Sequence, residues 1–379
     1  MKIGIDARIY GPGFTGIGRY VSELVSNLLK IDSENEYVVF MNSPEYESFT
    51  PSAKNVKKVL VNARHYSFAE QFRFSKLLKK EKVDVMHFTH FNAPIFYKGA
   101  SIVTIHDLTL HFYPGKKMTS FYRRLAYQLV IRSVTKRAKK IIAVSENTKN
   151  DLAKILKIPA DKATVIYEGV DESFNEAADE NAKKEIAKKY GIIKPFLLYT
   201  GVWRSHKNLV NLIKAFSYLK KNADFDGQIV ITGKEDPLYV EIRSTIKDLG
   251  LESDIVFTGM VPDSDLPVLY SAAKIYVFPS LYEGFGLPPL EAMACGTPVA
   301  ASKAACIPEV CGQDNAVFFD PYDPVDMSDA ILKIWLNEEL RQKLIANGRA
   351  RVKEFSWKKM AKDILEIYKS VVGILDFHN

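Results

Sequence analysis

The chain has 379 residues with a formal net charge of +7, and 47% of its residues are hydrophobic. This length predicts about two domains, and this composition excludes disordered and fibrous proteins. Three cysteines, and no apolar run of about 18 residues, argue against a disulfide-rich secreted fold and a membrane-spanning helix. Asp6 interrupts the first apolar segment too early for a signal peptide, so a cytoplasmic location is expected.

The first part of the chain alternates predicted strands and helices. It opens with a buried strand at residues 2–6, a loop containing Gly11, Gly13, Gly16 and Gly18, and an amphipathic helix at about 19–30. Further strands are predicted at 37–40, 58–61, 83–88, 102–105, 140–144 and 164–166, and further helices at 68–80, 119–138 and 146–156. Such alternation is typical of a doubly wound parallel sheet.

The second part of the chain repeats this organisation after a charged segment, residues 169–194, which is predicted to be a linker with one helix. Strands are predicted at 196–200, 228–232, 254–258, 275–278, 299–301 and 317–319, and the last three helices at 324–336, 338–355 and 357–372. The pattern predicts an α/β protein with two Rossmann-like, doubly wound domains, residues 1–170 and 171–356. Ligands of such sheets lie at the carboxyl ends of the strands, so a cleft between two facing domains is the expected site.

The loop after the strand at 275–278 combines features of an anion site with two carboxylates. It contains two glycines, and a short helix is predicted from about Pro288 to Cys295. The free N–H groups and the dipole at such a helix start favour phosphate. Because Glu283 and Glu291 flank this place, it suits a nucleotide sugar; a plain strand–helix corner with charged surface residues is the alternative.

Two cations, Arg204 and Lys207, follow the first strand of the second domain. A departing diphosphate gains negative charge in the transition state, and fixed cations stabilise that state more than the ground state. Two surface cations in a loop are the alternative. Their expected position opposite the loop at Gly284 favours a role at the site.

Residues 11–16 match the pattern G-x-G-x-x-G of dinucleotide-binding sites. That motif requires glycines directly after the strand and an acid about 20 residues later, at the end of the second strand. Here residues 7–10 intervene and no acid ends the second strand, so glycines that let backbone approach a ligand are favoured over a nicotinamide or flavin site.

Several histidines lie near the ends of strands in the first domain. His106 could contact a sugar hydroxyl or move a proton. A metal site formed by His87, His90 and His111 is the alternative, although zinc ligands need a converging geometry that a strand end does not guarantee.

The stretch with Glu283 and Glu291, separated by seven residues, resembles the signature of the retaining glycosyltransferases of family four, which have the GT-B fold. The resemblance covers nearly the whole chain and includes shorter segments at 16–20, 105–107, 143–145, 169–171 and 201–208. The chain departs from the family at Val202, where relatives often have arginine and for which Arg204 would substitute. It also departs at Glu168, where many relatives have asparagine.

The resemblance implies roles for residues of the second domain. Glu283 would bind donor-sugar hydroxyls, Glu291 would hold the ribose, and Lys207 would bind the diphosphate. The residues that would offer backbone N–H groups to the sugar and the phosphate are Gly284, Phe285, Gly286 and Leu287.

The resemblance also implies contacts outside this stretch. The backbone around Met260 and Val261 would meet the base, Gly16 would approach the donor phosphates, and His106 would meet the donor sugar. The C-terminal helix, about 357–379, would cross back onto the first domain, and neither a cofactor nor an essential metal is expected.

Together these features predict a retaining hexosyltransferase that uses a nucleotide sugar and builds surface polysaccharides or glycoconjugates. The pattern looks most like mannosyltransferases that use GDP-mannose, and UDP-hexoses are the alternative. No side-chain nucleophile is evident, so attack from the face of the departing diphosphate is favoured over a covalent intermediate. A GT-B-like sugar-nucleotide epimerase and a non-catalytic sugar-nucleotide-binding protein are two further alternatives.

The basic stretch 116–140 lies in the domain that would bind the acceptor, and no acid occurs between Asp107 and Glu146. This charge suggests peripheral contact with an anionic membrane at its inner face, and a glycan or lipid-linked acceptor is therefore expected. A solvated helix face is the alternative. Nucleic acid is not expected as a partner, because no recognised binding motif accompanies the charge.

Overall fold

The computed structural model of the chain describes residues 1–63, 67, 70–116, 120–174 and 178–376. Its contacts separate into two compact units. The first comprises Met1–Leu108, Lys117–Gly169 and Ser356–Asn379, and the second comprises Thr109–Lys116 and Val170–Phe355. Residues 109–116 thus belong to the second unit, although the sequence pattern places them within the first predicted domain.

The first unit is built on a parallel sheet. Its strands are β1 (Lys2–Asp6), β2 (Glu36–Met41), β3 (Val56–Leu60), β4 (Val85–Phe88), β5 (Ser101–Ile105), β6 (Lys140–Ala143) and β7 (Ala163–Val165). Their order in the sheet is β3-β2-β1-β4-β5-β6-β7. Ile3 of β1 lies opposite Tyr37 of β2 on one side and Val85 of β4 on the other. The predicted doubly wound parallel sheet is therefore confirmed for this unit.

The second unit contains a smaller parallel sheet. Its strands are β8 (Phe196–Thr200), β9 (Gln228–Thr232), β10 (Ile255–Gly259), β11 (Ile275–Phe278), β12 (Val299–Ser302) and β13 (Val317–Phe319). The order β10-β9-β8-β11-β12-β13 is that of a Rossmann sheet, so the second Rossmann-like prediction is confirmed as well. β8 and β11 are buried throughout, because strands of a parallel sheet are covered on both faces.

The helices alternate with these strands along the chain. Before the charged linker they are α1 (Thr15–Ile31), α2 (Glu45–Ser48), α3 (Ser75–Glu81), α4 (Thr109–Phe112), α5 (Phe121–Arg137) and α6 (Glu146–Leu156). After it they are α7 (Glu180–Tyr190), α8 (Leu209–Asn222), α9 (Val240–Leu249), α10 (Leu266–Ala272), α11 (Leu287–Ala294), α12 (Ile307–Cys311), α13 (Pro324–Leu336), α14 (Glu338–Val352) and α15 (Trp357–Asp376). The predicted starts of two helices, Phe68 and Thr119, lie outside the described residues, as do residues 377–379 of the predicted last helix.

The glycine loop after β1 is shorter than the sequence predicts. α1 begins at Thr15 rather than near Arg19, so Gly16 and Gly18 lie inside its first turns. Gly18 packs against the loop itself, because a Cβ there would lie 2.0 Å from the carbonyl oxygen of Gly11. The physical reason for the error is that glycine weakens a helix by only about 1 kcal/mol, which tertiary packing can override.

The last helix, α15, packs against α1 in the first unit. Its Tyr368 is buried and its hydroxyl lies 2.6 Å from Nδ1 of His87 in β4. Among the described residues, no helix is long and apolar enough to cross a membrane.

Candidate active site

The order of the second sheet creates a crevice at the carboxyl ends of β8 and β11. β9 and β10, which come next after β8 along the chain, lie on one side of it, and β11 lies on the other. The loops after β8 and β11 therefore diverge, as at the ligand sites of Rossmann sheets. Two hydrogen bonds, one from a backbone N–H and one from a side chain, join the two loops. The N–H of Leu281 donates to the carbonyl oxygen of His206 at 2.7 Å, and Nδ2 of Asn208 donates to that of Pro279 at 3.0 Å.

Lys207 and Glu283 form an ion pair across this crevice. Nζ of Lys207 lies 2.6 Å from Oε1 of Glu283, and the two side chains are 17% and 13% exposed. Burial raises the pKa of Glu283, but the charges of Lys207 and His206 outweigh it and leave the pKa below its usual value. The carboxylate is therefore ionised at neutral pH, and the pair presents opposite charges at one point of a partly open site.

The glycine turn before α11 has the backbone that the sequence predicts. Gly286 has a φ of 93°, which a residue with a Cβ rarely adopts, and Pro288 lies in the first turn. Pro288 and Pro289 have no N–H, so the backbone N–H groups that could meet an anion at this helix start are those of Gly286 and Leu287. The side chain of Phe285 is buried and packs edge-on against Phe355, which leaves its backbone as the part that could meet a ligand.

Cys306 holds this turn in place, a role that the sequence pattern does not reveal. Its Sγ donates to the carbonyl oxygens of Glu283 at 3.2 Å and Phe285 at 3.1 Å. Burial and the charge of Glu283 raise the pKa of this thiol well above its usual value, so it remains a neutral donor. A cysteine remote in sequence carries no local signal for such a contact, because the contact depends on how α12 meets the loop.

Glu291 lies on α11 and is almost fully buried. Its Oε2 accepts a hydrogen bond from the hydroxyl of Tyr270 at 2.8 Å, and that hydroxyl also lies 3.0 Å from Oγ1 of Thr200. Burial and the charge of Glu291 raise the pKa of Tyr270 far above its usual value, so the phenol stays protonated. The structure therefore gives Glu291 a place in a buried network; its contact with a ribose stays a prediction.

Arg204 lies in the same loop as Lys207 but has a different partner. Its Nη1 forms an ion pair with Asp236, and its guanidinium lies 5.7 Å from the ring centre of Tyr239. The structure thus brings Lys207, and not Arg204, to Glu283. Asp236 follows β9 and was not identified from the sequence, where an acid in a loop is unremarkable.

Met260 and Val261 follow β10 at the same carboxyl edge of the second sheet. Met260 is exposed and Val261 is half-buried. The preceding Gly259 accepts a hydrogen bond from the N–H of Gly233 at 2.8 Å, which ties the ends of β9 and β10 together. Their predicted contact with a base is compatible with this placement and stays a prediction.

His106 follows β5 in the first unit and is buried. Its Nε2 lies 3.0 Å from the carbonyl oxygen of Thr89, so this nitrogen carries a hydrogen and donates. Its Nδ1 lies 3.2 Å from Oε1 of Glu168, one of the two positions at which the sequence departs from the family that it resembles. Gly16 is exposed, and a Cβ there would meet nothing within 4 Å in the described residues.

His87 is an interior residue rather than a ligand at a strand end. Its ring nitrogens lie within hydrogen-bond distance of Tyr368 and of Thr104, where Nε2 to Oγ1 is 2.8 Å. Burial and the nearby His106 lower the pKa of His87 to about 3. No group of three histidine, cysteine or acidic residues that could hold a metal occurs within the residues that the structure describes.

Two family models match the two parts of the chain. The model of the glycosyl transferases group 1 matches residues 182–351, which contain the Lys207–Glu283 pair. The model of Glycosyltransferase Family 4 matches residues 14–174.

Curated proteins and solved structures share sequence and fold with the chain. It is 28% identical over 377 residues to the O-antigen chain mannosyltransferase B of Escherichia coli. The matched region covers 94% of this chain and 96% of that protein. A serotype-specific mannosyltransferase, WbdA of Escherichia coli, is 34% identical over 234 residues, which are 61% of this chain and 28% of that protein. The solved sucrose-phosphate synthase of Thermosynechococcus elongatus superposes with a TM-score of 0.81 at 20% identity, over 99% of this chain and 100% of that one, which shows a common fold.

Proposed function

We propose that this chain, which belongs to the GT-B glycosyltransferases of the group 1 and family 4 type, transfers a hexose from a nucleotide sugar. In the proposed reaction the configuration of the sugar is retained. The acceptor that we propose is a glycan or lipid-linked sugar of a surface polysaccharide or glycoconjugate. GDP-mannose is the proposed donor, because two of the similar proteins are named as mannosyltransferases. UDP-hexoses are the alternative donors.

The observation that carries this proposal is the Lys207–Glu283 ion pair at the crevice between β8 and β11. A cation next to a helix start suits a diphosphate, and a carboxylate next to both suits sugar hydroxyls. In the proposal, an incoming donor replaces the pair: Lys207 moves onto the diphosphate and Glu283 accepts hydrogen bonds from the sugar. Each of the two side chains thus keeps its charge and exchanges its partner in the ion pair for a part of the donor.

The proposed reaction follows from these positions. The bond between C1 of the sugar and the diphosphate oxygen breaks first, and Lys207 and the backbone N–H groups of Gly286 and Leu287 stabilise the charge that develops on that oxygen. The acceptor hydroxyl attacks C1 from the same face, and its proton passes to the departing phosphate oxygen. Glu283 orients the sugar throughout and Glu291 holds the ribose, while the contacts of His106 and Gly16 with the donor stay predictions.

A thermal-shift screen with GDP, UDP and ADP sugars tests the donor, since a ligand of the folded state raises the melting temperature as its concentration exceeds its dissociation constant. The expected result is the largest shift with GDP-mannose. A shift with NAD alone would contradict the proposal. Dialysis against EDTA is expected to leave transfer unchanged, because no resident metal takes part in the proposed steps.

Incubation of the donor with and without an acceptor separates this function from its alternatives. A transferase releases the nucleoside diphosphate in proportion to the glycoside formed. An epimerase would convert the donor sugar without any acceptor, and a binding protein would leave the donor unchanged under both conditions. Loss of transfer together with retained donor binding in Lys207→Met would assign the chemistry to this pair.

The N-terminal half of α5 supports a peripheral contact with an anionic membrane as part of the proposal. Phe121 and Tyr122 are 72% and 80% exposed, and Arg123 and Arg124 adjoin them. Exposed aromatic residues beside basic ones are typical of helices that lie in a lipid interface. Such a contact would place the enzyme at the inner face of the membrane, next to the proposed lipid-linked acceptor.

Flotation with vesicles tests this contact. The chain is expected to bind vesicles with anionic lipid more strongly than purely zwitterionic ones, and the double variant Phe121→Ser, Tyr122→Ser is expected to lose most of that binding. Phe96→Ser is the matched control, because Phe96 is also strongly exposed in the first unit but lies outside α5. Equal binding of all three proteins would remove the membrane contact from the proposal and leave the transfer reaction intact.

A further inference from the structure

Residues Thr109–Lys116 lie between β5 and α5 in the chain, yet they pack within the second unit. Lys116 anchors the end of this segment. Its Nζ donates to the carbonyl oxygen of Leu238 at 2.6 Å, pairs with Glu241 at 2.7 Å, and lies 4.9 Å from the ring centre of Tyr239. Three contacts of one ammonium group fix the position of the segment on this unit.

The middle of the segment packs onto the loops that carry the ion pair. The ring of Phe112 lies 4.9 Å from that of Tyr282, and the ring of Tyr113 lies 6.1 Å from that of His206, measured between ring centres. Tyr282 and His206 immediately precede Glu283 and Lys207 in the sequence. The segment therefore lies beside the point where the sugar would be transferred.

Two aromatic residues of this cluster are exposed, and two of its hydroxyl groups lie together. Phe112 is 43% exposed and Tyr322 is 66% exposed. The hydroxyls of Tyr113 and Tyr322 lie 3.1 Å apart. Burial and the hydrogen bond with Tyr322 raise the pKa of Tyr113 to about 12, so this hydroxyl is a neutral donor and acceptor at neutral pH.

A pyranose ring matches this surface in two ways. Its C–H face is apolar and packs on an aromatic ring, while its equatorial hydroxyls need partners that both donate and accept. Phe112 and Tyr322 offer the rings, and the two tyrosine hydroxyls offer the polar partners. A lipid chain would have no use for the hydroxyls.

We propose that Phe112, Tyr113 and Tyr322 form a subsite for the acceptor sugar beside the Lys207–Glu283 pair. The inference rests on the proposed function, which supplies the reacting donor but leaves the acceptor's place on this unit open. Because the segment is anchored on the second unit by Lys116, the acceptor sugar is held by the unit that also carries the proposed donor site. The subsite selects pyranosides by stacking and hydroxyl contacts rather than by charge.

Saturation-transfer NMR with methyl α-mannopyranoside and methyl α-glucopyranoside, each with GDP present, tests the subsite on the full chain. The wild-type protein is expected to transfer saturation to the C–H protons of at least one pyranoside. Phe112→Ala and Tyr322→Ala are each expected to weaken that binding about tenfold, the loss of one aromatic contact. Tyr218→Ala is the matched control, because Tyr218 is an exposed tyrosine on α8 of the same unit.

Tyr113→Phe separates the hydroxyl from the packing of the ring. It is expected to weaken pyranoside binding while the melting temperature and the thermal shift with GDP stay at their wild-type values. No saturation transfer to either pyranoside in the wild type, or unchanged binding in both alanine variants, would overturn the subsite. The shift with GDP reports on the donor site separately, so its absence would count against the proposed function and not against the subsite.

Discussion

Each unit of the molecule carries an ion pair after the carboxyl end of the strand that comes first along the chain in its sheet, β1 or β8. The two pairs differ in burial. In the first unit, Arg8 follows β1 and pairs with Asp6 and Glu70, with all three side chains buried. In the second, Lys207 pairs with Glu283, and both side chains are partly exposed. The same topological position thus holds a sealed cluster in one sheet and an open pair in the other.

The difference shows how burial separates a structural ion pair from a site. Arg8 also donates to the carbonyl oxygen of Asn92 at 3.0 Å and lies 4.2 Å from the ring centre of Phe74. Burial lowers the pKa of Arg8, but the charges of Asp6 and Glu70 outweigh it and raise the pKa above its usual value. A ligand cannot reach such a group, whereas a donor can replace one partner of Lys207.

The largest expected effect is the loss of stability when the buried cluster loses its arginine. Arg8→Met is expected to lower the free energy of unfolding by about 3–5 kcal/mol, because it leaves Asp6 and Glu70 as buried carboxylates without their cation. Denaturant unfolding measures the loss. Lys207→Met is the matched control, and it is expected to cost clearly less because its carboxylate partner reaches water. Equal losses in the two variants would contradict the distinction between a sealed and an open pair.

The second expected effect is on transfer. Lys207→Met is expected to lower the turnover by about 100- to 1000-fold, which is typical of removing one group that stabilises developing negative charge. Glu283→Gln keeps the size of the side chain and is expected to impair transfer while the protein remains folded. Initial rates with a saturating donor measure both variants. Near-normal turnover in Lys207→Met would refute its assignment to the leaving group.

The two units are also expected to respond to acid over different pH ranges. Buried His87 stays neutral in the folded state down to about pH 3, while in the unfolded state it takes up a proton below about pH 6.5. Its contribution to stability is therefore complete above pH 6.5 and falls by about 1.4 kcal/mol per pH unit below it. Glu283 has a lowered pKa, so its contribution is present above its usual value of 4.5 and is lost only as the pH falls below that.

Unfolding free energies of the wild type and His87→Gln between pH 6.5 and pH 4.5 measure this difference. The free energy of unfolding of the variant is expected to fall less steeply as the pH is lowered. The difference in slope corresponds to about one proton, because the variant lacks the group that only the unfolded chain protonates. Parallel curves for the two proteins would show that His87 is protonated in the folded state as well. Glu283→Gln is expected to keep the wild-type slope in this range.

The smallest expected effect is that of Arg204. Its guanidinium pairs with Asp236 rather than with Glu283, so Arg204→Ala is expected to lower the turnover by only about tenfold, in line with a remote positive charge. Comparison of its initial rate with that of Lys207→Met sharpens the assignment of the two cations. A loss in Arg204→Ala as large as that in Lys207→Met would show that Arg204 reaches the diphosphate after all.

The elements that positioned this site could be predicted well from local patterns. The bounds of β8, β9, β11 and β13 agree with the predicted ranges, because continuous apolar runs bounded by glycine, proline and charged residues are typical of buried parallel strands. α6 begins at Glu146 as predicted, and Ser145 caps it by accepting a hydrogen bond from the N–H of Thr148. The start of α1 was missed, because two glycines there suggested a loop that packing against Gly11 overrides.

Local sequence patterns predict the fold and the kinds of groups at the site: an α/β chain with two doubly wound sheets, a glycine turn into a helix, two glutamates and two cations. These follow from periodicity and residue type, which act over a few neighbouring residues. Three contacts are visible in the folded chain alone: Lys207 rather than Arg204 meets Glu283, Cys306 holds the turn, and residues 109–116 pack on the second unit. Those contacts join residues far apart in the chain, and they depend on how strands order and loops diverge, which no local pattern records.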